Sequence, residues 1–363
     1  MASVPAPLAV VVGTGLIGGS VALALKAQGY VVFGVDHDGE RLADAKARGF
    51  IDGIGDDPSA ILVVVAVPAS SVRQATEAIL ALPDRNPEVL VTDVCGVKAP
   101  IVEAIGDPRF IGGHPMAGSE QLGLRGARAD LFVGATWVLC PTAGTDPSRY
   151  ARLAQILGAM GAMVVGLDAG DHDRLVAVVS HVPHLLASTL MHRAVVGAES
   201  DGALLQLAAG GFRDMTRVAA GDPVIWPEVL VGNAAAVTAT LDQVVEDLVG
   251  LRSMVADGDA GALRRFLATT SVARQALPAR QSVPVELAIV RVVVPDRPGV
   301  LAEVTRVASD LGVNVVDLQI AHSVEGSAGV LLLTVGAALS STLVEALTAL
   351  GYALSVEHLG GAR

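Results

Sequence analysis

The hexapeptide Gly13-Thr14-Gly15-Leu16-Ile17-Gly18 has G-x-G-x-x-G spacing, follows the apolar run LAVVVG (8–13) and opens a stretch of helical composition. In that context the first glycine permits a tight turn. The second lets backbone approach a pyrophosphate, and the third lets helix pack on strand. The N–H groups that open the helix then face the phosphates. Asp36 closes the second apolar run. Its carboxylate can accept from both ribose hydroxyls and would repel a 2′-phosphate, which favours NAD over NADP. Val67 and Asp93 close two further apolar runs and are the remaining cofactor candidates. Downstream, residues 111–120 read IGGHPMAGSE. His114 is expected on a tight loop after a strand end, a usual place for an acid/base residue; a turn histidine bonded to backbone is the plainer alternative. Glu120 could orient it, or be a solvated loop carboxylate.

A third group follows. His172, His181 and His184 lie on one predicted helix, the last two on neighbouring parts of one face. They could be substrate-pocket residues, hydrogen-bonded core histidines or, with a third ligand and an open position, part of a metal site; no metal is expected. Pro183 should bend that helix. Arg213 and Arg217 are four apart and suited to a carboxylate, unless they serve in ion pairs with Asp214 or Asp222.

The elements that must hold these residues are legible as patterns. Apolar runs at 8–13, 30–35, 61–67, 89–94 and 135–139 alternate with helical stretches at 16–28, 39–48 and 70–82. That is the signature of buried parallel strands in β-α-β units. From about 170 to 280 the composition turns helical, over 172–198, 201–209, 223–256 and 259–276, with Pro223 at a helix start. Several of these helices are apolar all round, so a domain that dimerises is expected. After a linker at 279–285, the tail from 286 reads β-α-β-β-α-β with a hairpin at Glu325-Gly326, a ferredoxin-like unit. The expected domains are a Rossmann-type α/β domain (1–167), an all-α dimerisation and substrate domain (168–280) and a ferredoxin-like domain (286–363).

The composition sets limits. The chain has 363 residues, 52% of them hydrophobic, and a net charge of −12. Such a charge disfavours nucleic acid or an anionic membrane as partner, so an acidic substrate needs a local basic cluster. Cys95 and Cys140 are the only cysteines and have no metal-type or disulfide-type spacing, which fits a reducing cytoplasm. No signal peptide is read at the N-terminus. The long apolar run at 175–190 contains His181, Pro183 and His184, which favours a buried helix over a membrane span.

The strings GTGLIGGSVALALK (13–26), VTDVCGVK (91–98), GGHPMAGSE (112–120), DHDRLVAVVSHVPHLLA (171–187) and GGFRDMTRVAAGDPVIWPEVL (210–230) resemble, in order and spacing, the prephenate dehydrogenase family of tyrosine biosynthesis. The tail, through DRPGVLAEV (296–304) and LGVNVVDLQI (311–320), resembles an ACT regulatory domain. The resemblance implies NAD-dependent oxidative decarboxylation of prephenate to 4-hydroxyphenylpyruvate by a homodimer. It implies that neutral His114 accepts the substrate's ring hydroxyl and Arg217 binds the ring carboxylate. By the same resemblance His184 meets the substrate side chain, His172 and Glu120 line the pocket, and Gly210 lies where a partner subunit approaches. It also implies an amino-acid effector, with tyrosine the logical one, near Asp296, Gly299 and Asn314. One departure stands out: many members carry serine where this chain has Gly96, so its role must pass to Thr92, Ser119, a water or nothing. The adjacent Cys95 thiol is a weak donor. Arogenate dehydrogenase, which takes an amine in place of the side-chain ketone, is the alternative. An ACT-tailed dehydrogenase of serine or homoserine precursors fits less well, because such enzymes carry other catalytic strings and place the helical segment differently; a non-enzymatic NAD and amino-acid sensor would leave His114, His184 and Arg217 unemployed.

Overall fold

The structure, a computed structural model, describes residues 6–118, 121, 123–277, 287–295, 297–322 and 328–359. Its first part runs β1 (Leu8–Val12), α1 (Leu16–Ala27), β2 (Val31–Val35), α2 (Gly39–Ala47), β3 (Gly53–Ile54), β4 (Leu62–Val65), α3 (Ala69–Leu80), β5 (Leu90–Asp93), α4 (Ala99–Ile105), β6 (Phe110–Pro115), β7 (Thr136–Cys140), α5 (Pro147–Ala159) and β8 (Met163–Gly166). The strands form one sheet in the order β3-β2-β1-β4-β5-β6-β7-β8. Every pairing is parallel except β6 with β7. Val10, Val11, Val63, Val64 and Val91 are fully buried, as expected of strands covered on both faces. The strand order reverses between β1 and β4, and in such sheets ligands bind at the carboxyl ends of the strands beside that switch point.

A helical region follows: α6 (Ala169–Val176), α7 (Val182–Ser200), α8 (Gly210–Thr216), α9 (Ile225–Gly232), α10 (Ala234–Ala256) and α11 (Ala260–Gln275). Between α6 and α7 the helix widens into a π turn over Ala177–His181. Pro183 lies in the first turn of α7, where its missing donor is tolerated, and the local irregularity is taken up in the wider turn before it. The helices expected over 201–209 and 223–256 are resolved differently. The first is a short 3-10 turn, Leu204–Leu207. The second starts at Ile225, two residues after Pro223, and breaks at Asn233. Val179, Leu207, Val224, Val231 and Val255 stand at least 65% exposed in the single chain, an apolar surface that calls for a partner.

The chain divides into two compact units, Met1–Thr269 and Thr270–Arg363. In the second lie β9 (Leu287–Pro295), α12 (Val300–Asp310), β10 (Val315–His322), β11 (Ala328–Gly336), α13 (Ala337–Ala349) and β12 (Ala353–Leu359). The antiparallel sheet has the order β10-β11-β9-β12. Val290, Val292, Leu331 and Leu333 from the sheet pack with Val304, Leu343 and Leu347 from the helices. This is the ferredoxin-like unit read from the sequence. Gly299, with φ +88°, begins α12, and Asn314 is exposed just before β10; Asp296 lies outside the described residues.

Candidate active site

The glycine turn is built for close approach. Gly13 has φ +92°, and a Cβ there would lie 2.3 Å from the Ala66 carbonyl oxygen, so β1 and the end of β4 meet at the switch point. A Cβ at Gly18 would lie 1.8 Å from the Gly13 carbonyl oxygen, which fixes helix against turn. Gly15, by contrast, has nothing within 4 Å and begins α1 without a side-chain cap. Leu16 and Ile17 thus open α1 with backbone N–H groups free to meet a phosphate. These residues fit a dinucleotide. The Asp36 carboxylate accepts from the Thr14 backbone N–H (2.7 Å), the Thr14 hydroxyl (2.9 Å) and the Asp38 N–H (3.0 Å). Burial works against its charge, but those hydrogen bonds and nearby Arg41 hold it below the usual carboxylate range. Val67 lies beside Gly13, and its carbonyl receives the Cys95 thiol at 3.4 Å. Burial, with Asp93 close by, pushes that thiol up to about 12.

Asp93 departs from expectation. It is fully buried, pairs with the fully buried Lys98 ammonium, and accepts from the backbone N–H groups of Cys95 (2.9 Å) and Gly113 (3.0 Å). Its side chain thus meets three donors in the interior of the sheet. Lys98 also donates to the Gly113 carbonyl at 2.8 Å. Nothing in the sequence reading gave Lys98 a role, although its place five residues after Asp93 was visible.

His114 is not on a loop. It lies inside β6, opposite Val138 of β7. The preceding glycines serve packing rather than turning. A Cβ at Gly113 would lie 2.6 Å from both the Asp93 carbonyl oxygen and the Thr92 hydroxyl, and one at Gly112 would lie 2.7 Å from Val102. Thr92 is thus fully buried against Gly113. A Cβ at Gly96 would lie 3.6 Å from His114 Nε2 and 3.6 Å from Val229, an ordinary contact. His114 Nε2 therefore looks into the space that a side chain at 96 would fill. Burial first, then His172, Lys98 and His181, push the His114 imidazole well below the ordinary 6.5.

His172, expected in the pocket, is instead fully buried behind His114. Its Nε2 lies 2.8 Å from His114 Nδ1, and its Nδ1 lies 2.8 Å from Asp173 Oδ1. Asp173 also accepts from the backbone N–H groups of Lys98 and Ala99, both at 2.8 Å. Asn233, at the break between α9 and α10, donates to the Asp173 carbonyl (2.7 Å) and sits 3.1 Å from His181 Nδ1. His181 is accordingly a hydrogen-bonded core histidine, and no cluster able to hold a metal occurs among the described residues.

Helix α9 roofs the site. Trp226 stacks on His184 at 3.7 Å with the rings 9° from parallel. Val229 faces Gly96, and Glu228 accepts from the Ser70 hydroxyl at 3.1 Å. His184 is lowered by burial, offset in part by a hydrogen bond to the Val218 carbonyl, and its Nδ1 finds no partner among the described residues. Arg217 is exposed at the end of α8, in the turn Arg217–Ala220 that packs beside His184. Gly210 is the exposed first residue of α8 with open space around it. Glu120 and Ser119 lie outside the described residues. Sequence reasoning missed Asp173, Asn233 and Trp226, whose roles depend on contacts distant in sequence.

With this geometry in place, comparison with known proteins is decisive. Residues 21–166 match the nucleotide-binding domain of prephenate dehydrogenase, 168–269 its dimerization domain, and 288–351 the ACT domain. The chain belongs to the prephenate dehydrogenase family. It is 32% identical to the prephenate dehydrogenase of Bacillus subtilis (strain 168) over 333 residues, 88% of this chain and 89% of that one. The crystal structure of Synechocystis arogenate dehydrogenase is 32% identical, with a TM-score of 0.64 over 74% of this chain and 99% of that one. Prephenate dehydrogenase from A. aeolicus, in complex with hydroxyphenyl propionate and NAD+, is 27% identical, with a TM-score of 0.69 over 76% of this chain and 100% of that one. Family membership makes the chain an oxidoreductase with a nucleotide-binding domain, and leaves prephenate and arogenate as the substrates to be separated.

Proposed function

We propose that the protein is an NAD-dependent dehydrogenase that converts prephenate to 4-hydroxyphenylpyruvate in tyrosine biosynthesis, working as a cytoplasmic homodimer. The observation that carries this reading is His114: a half-buried imidazole held neutral, with Nε2 facing the position a side chain at Gly96 would take. The turn from Gly13 to Gly18 and Asp36 hold the NAD, which when bound takes hydride from C4 of the ring. His114 accepts the ring hydroxyl's hydrogen as the carbonyl develops, for which an acceptor nitrogen is needed. Arg217 receives the ring carboxylate, and its turn lies beside His184, the residue assigned to the side chain. Gly210 meets the partner subunit, and the apolar faces of the helical region supply the dimer interface.

The helical stretch Ala169–Ser200 is long and apolar enough to cross a membrane. Its buried residues include His172, Asp173, His181 and His184, so we read it as the helix that carries the site. The ACT domain, through Gly299 and Asn314, is read as the receptor for an amino-acid effector, tyrosine in the first instance.

One observation favours arogenate as the second reading. If His184 donates to the Val218 carbonyl, its unpartnered Nδ1 is a lone pair, and a lone pair suits an ammonium donor better than a ketone. The test is NADH formation from prephenate and from arogenate, each with NAD and with NADP. Turnover of prephenate with NAD at the highest kcat/KM supports the first reading. A preference for arogenate transfers the assignment, and no turnover of either substrate rejects both.

A further inference from the structure

The line His114–His172–Asp173 has a direction that can be read from its buried end. Asp173 Oδ1 accepts from the Lys98 N–H and Oδ2 from the Ala99 N–H. Backbone N–H groups can only donate, so each carboxylate oxygen faces an obligate donor. His172 Nδ1, 2.8 Å from Oδ1, therefore carries its hydrogen toward Asp173. With His172 uncharged, its single N–H is the one at Nδ1, and Nε2 is the lone pair. His114 Nδ1, 2.8 Å away, must then carry its own hydrogen. The lone pair of His114 is left on Nε2, the atom that faces Gly96.

We propose that Asp173 and His172 are positioning residues that fix the His114 tautomer and let His114 hold the substrate proton and then return it. The inference rests on the reading of His114 given above. In that chemistry hydride leaves C4 with the electron pair of the C–H bond. The O–H electrons become the second bond of the ring carbonyl, and the proton passes to His114 Nε2. The bond from ring to carboxylate then breaks, CO2 leaves, and its electron pair enters the ring. The ring oxygen becomes a phenolate and takes the proton back from Nε2. The protein gains no proton over the cycle, so the base needs no path to water. Among the described residues this side is closed to water, with His172 0% exposed and Asp173 5%. While His114 carries the extra proton, its Nδ1–H points to His172, and the Asp173 carboxylate stands one ring further on. Among the described residues, the other charged or titratable groups that act on it are the Lys98–Asp93 pair below and His181 from the π turn. The same ring chemistry applies to arogenate.

Asp173 also satisfies the first N–H groups of α4, so replacing it would disturb structure as well as tautomer. His172 is the cleaner handle. In His172→Gln, Oε1 can stand where the Nε2 lone pair stood and accept from His114. In His172→Leu nothing can. The expected loss of kcat for the leucine variant is about 10- to 100-fold, by analogy with the outer partners that orient a metal-bound histidine. KM and the Kd for NAD should stay within about threefold, too little to signal a rebuilt pocket. The glutamine variant should recover most of the lost kcat. Independently of turnover, the full-length protein labelled with 15N-histidine should give His114 a protonated Nδ1 and a bare Nε2, assigned by the signals lost in His114→Gln. The leucine variant should give a mixture of tautomers. A wild-type His114 protonated at Nε2 overturns the proposal whether or not any substrate turns over. So does full kcat in His172→Leu beside an inactive His114→Gln, which would leave the role of His114 standing. Should the leucine variant fail to fold, the wild-type spectrum and the kcat of the glutamine variant decide.

Discussion

His114 can serve as a base only while uncharged, and its surroundings keep it so well below the pH at which a free histidine protonates. His114→Ala should lower kcat about 10²–10⁴-fold, the range for a lost general base, while the Kd for NAD stays unchanged. A variant with more than half the native kcat would remove His114 from the mechanism. The lowered value also sets a pH dependence. In the unfolded chain this histidine titrates near 6.5, whereas in the folded protein it titrates lower. Below pH 6.5 the unfolded state therefore binds a proton that the folded state refuses, and stability falls as pH falls through that window. His181 and His184 are shifted in the same direction and add to the effect. Tm should drop on acidification below 6.5, less steeply in His114→Gln; an unchanged slope in that variant would contradict the burial argument. The acid limb of kcat should likewise lie below 6.5. Arg217→Ala should raise KM for prephenate and spare NAD binding, because a carboxylate loses its charge partner. Removing one partner of a desolvated pair costs about 2–5 kcal/mol, and the exposure of Arg217 in the single chain places the expectation at the low end. Equal weakening of both ligands would point to structural damage instead.

At the scale of elements, two glycines near His114, Gly113 inside β6 and Gly96 after β5, behave oppositely. Gly113→Ala places a Cβ 2.6 Å from a backbone carbonyl in β5, and backbone inside a sheet cannot yield cheaply. The expected cost is about 1–3 kcal/mol of overpacking, with kcat lowered as His114 shifts. Gly96→Ser meets only ordinary contacts and should fold with an unchanged Tm; denaturation of both variants checks the contrast, and an equally stable Gly113→Ala would refute it. This distinction was invisible in the sequence, where Gly113 read as part of a tight loop and Gly96 only as a departure from a family serine. The parallel strands were legible because burial on both faces makes them continuous apolar runs. Strand β6 was not, because its IGGHP composition looks like a loop, and only the close approach of β5 explains the glycines. Among the helices, periodicity found the long apolar segments but not their breaks. The π turn before Pro183 and the break at Asn233 exist because buried polar groups there bond across the helical region, which local pattern does not record. The fingerprint, His114 and Arg217 were singled out from motifs, whereas Asp173 is identifiable only by what it touches.

For the whole molecule, apolar burial is distributed in two compact units that meet different needs. The first contains every residue assigned to the reaction and exposes an apolar helical surface that a second copy would cover. The second, from Thr270, has its own core of Val290, Val292, Leu331, Leu333, Leu343 and Leu347. Its edge strands β10 and β12 carry unpaired backbone groups, which favour pairing with another sheet. A core of that kind allows the tail to be removed without unfolding the rest. A chain ending at Leu277, just past α11, should therefore remain a folded, active dehydrogenase. Whether it still responds to tyrosine separates two modes of inhibition. Tyrosine acting through the ACT domain must bind one state of the enzyme better than another, and that differential is lost with the tail. Tyrosine acting as a product-like competitor needs only the substrate pocket, which truncation leaves intact. Titrating tyrosine at fixed prephenate against full-length and shortened enzyme should give inhibition in the first and little in the second. Superimposable curves would move the tyrosine effect to the active site and leave the ACT domain as an assembly module.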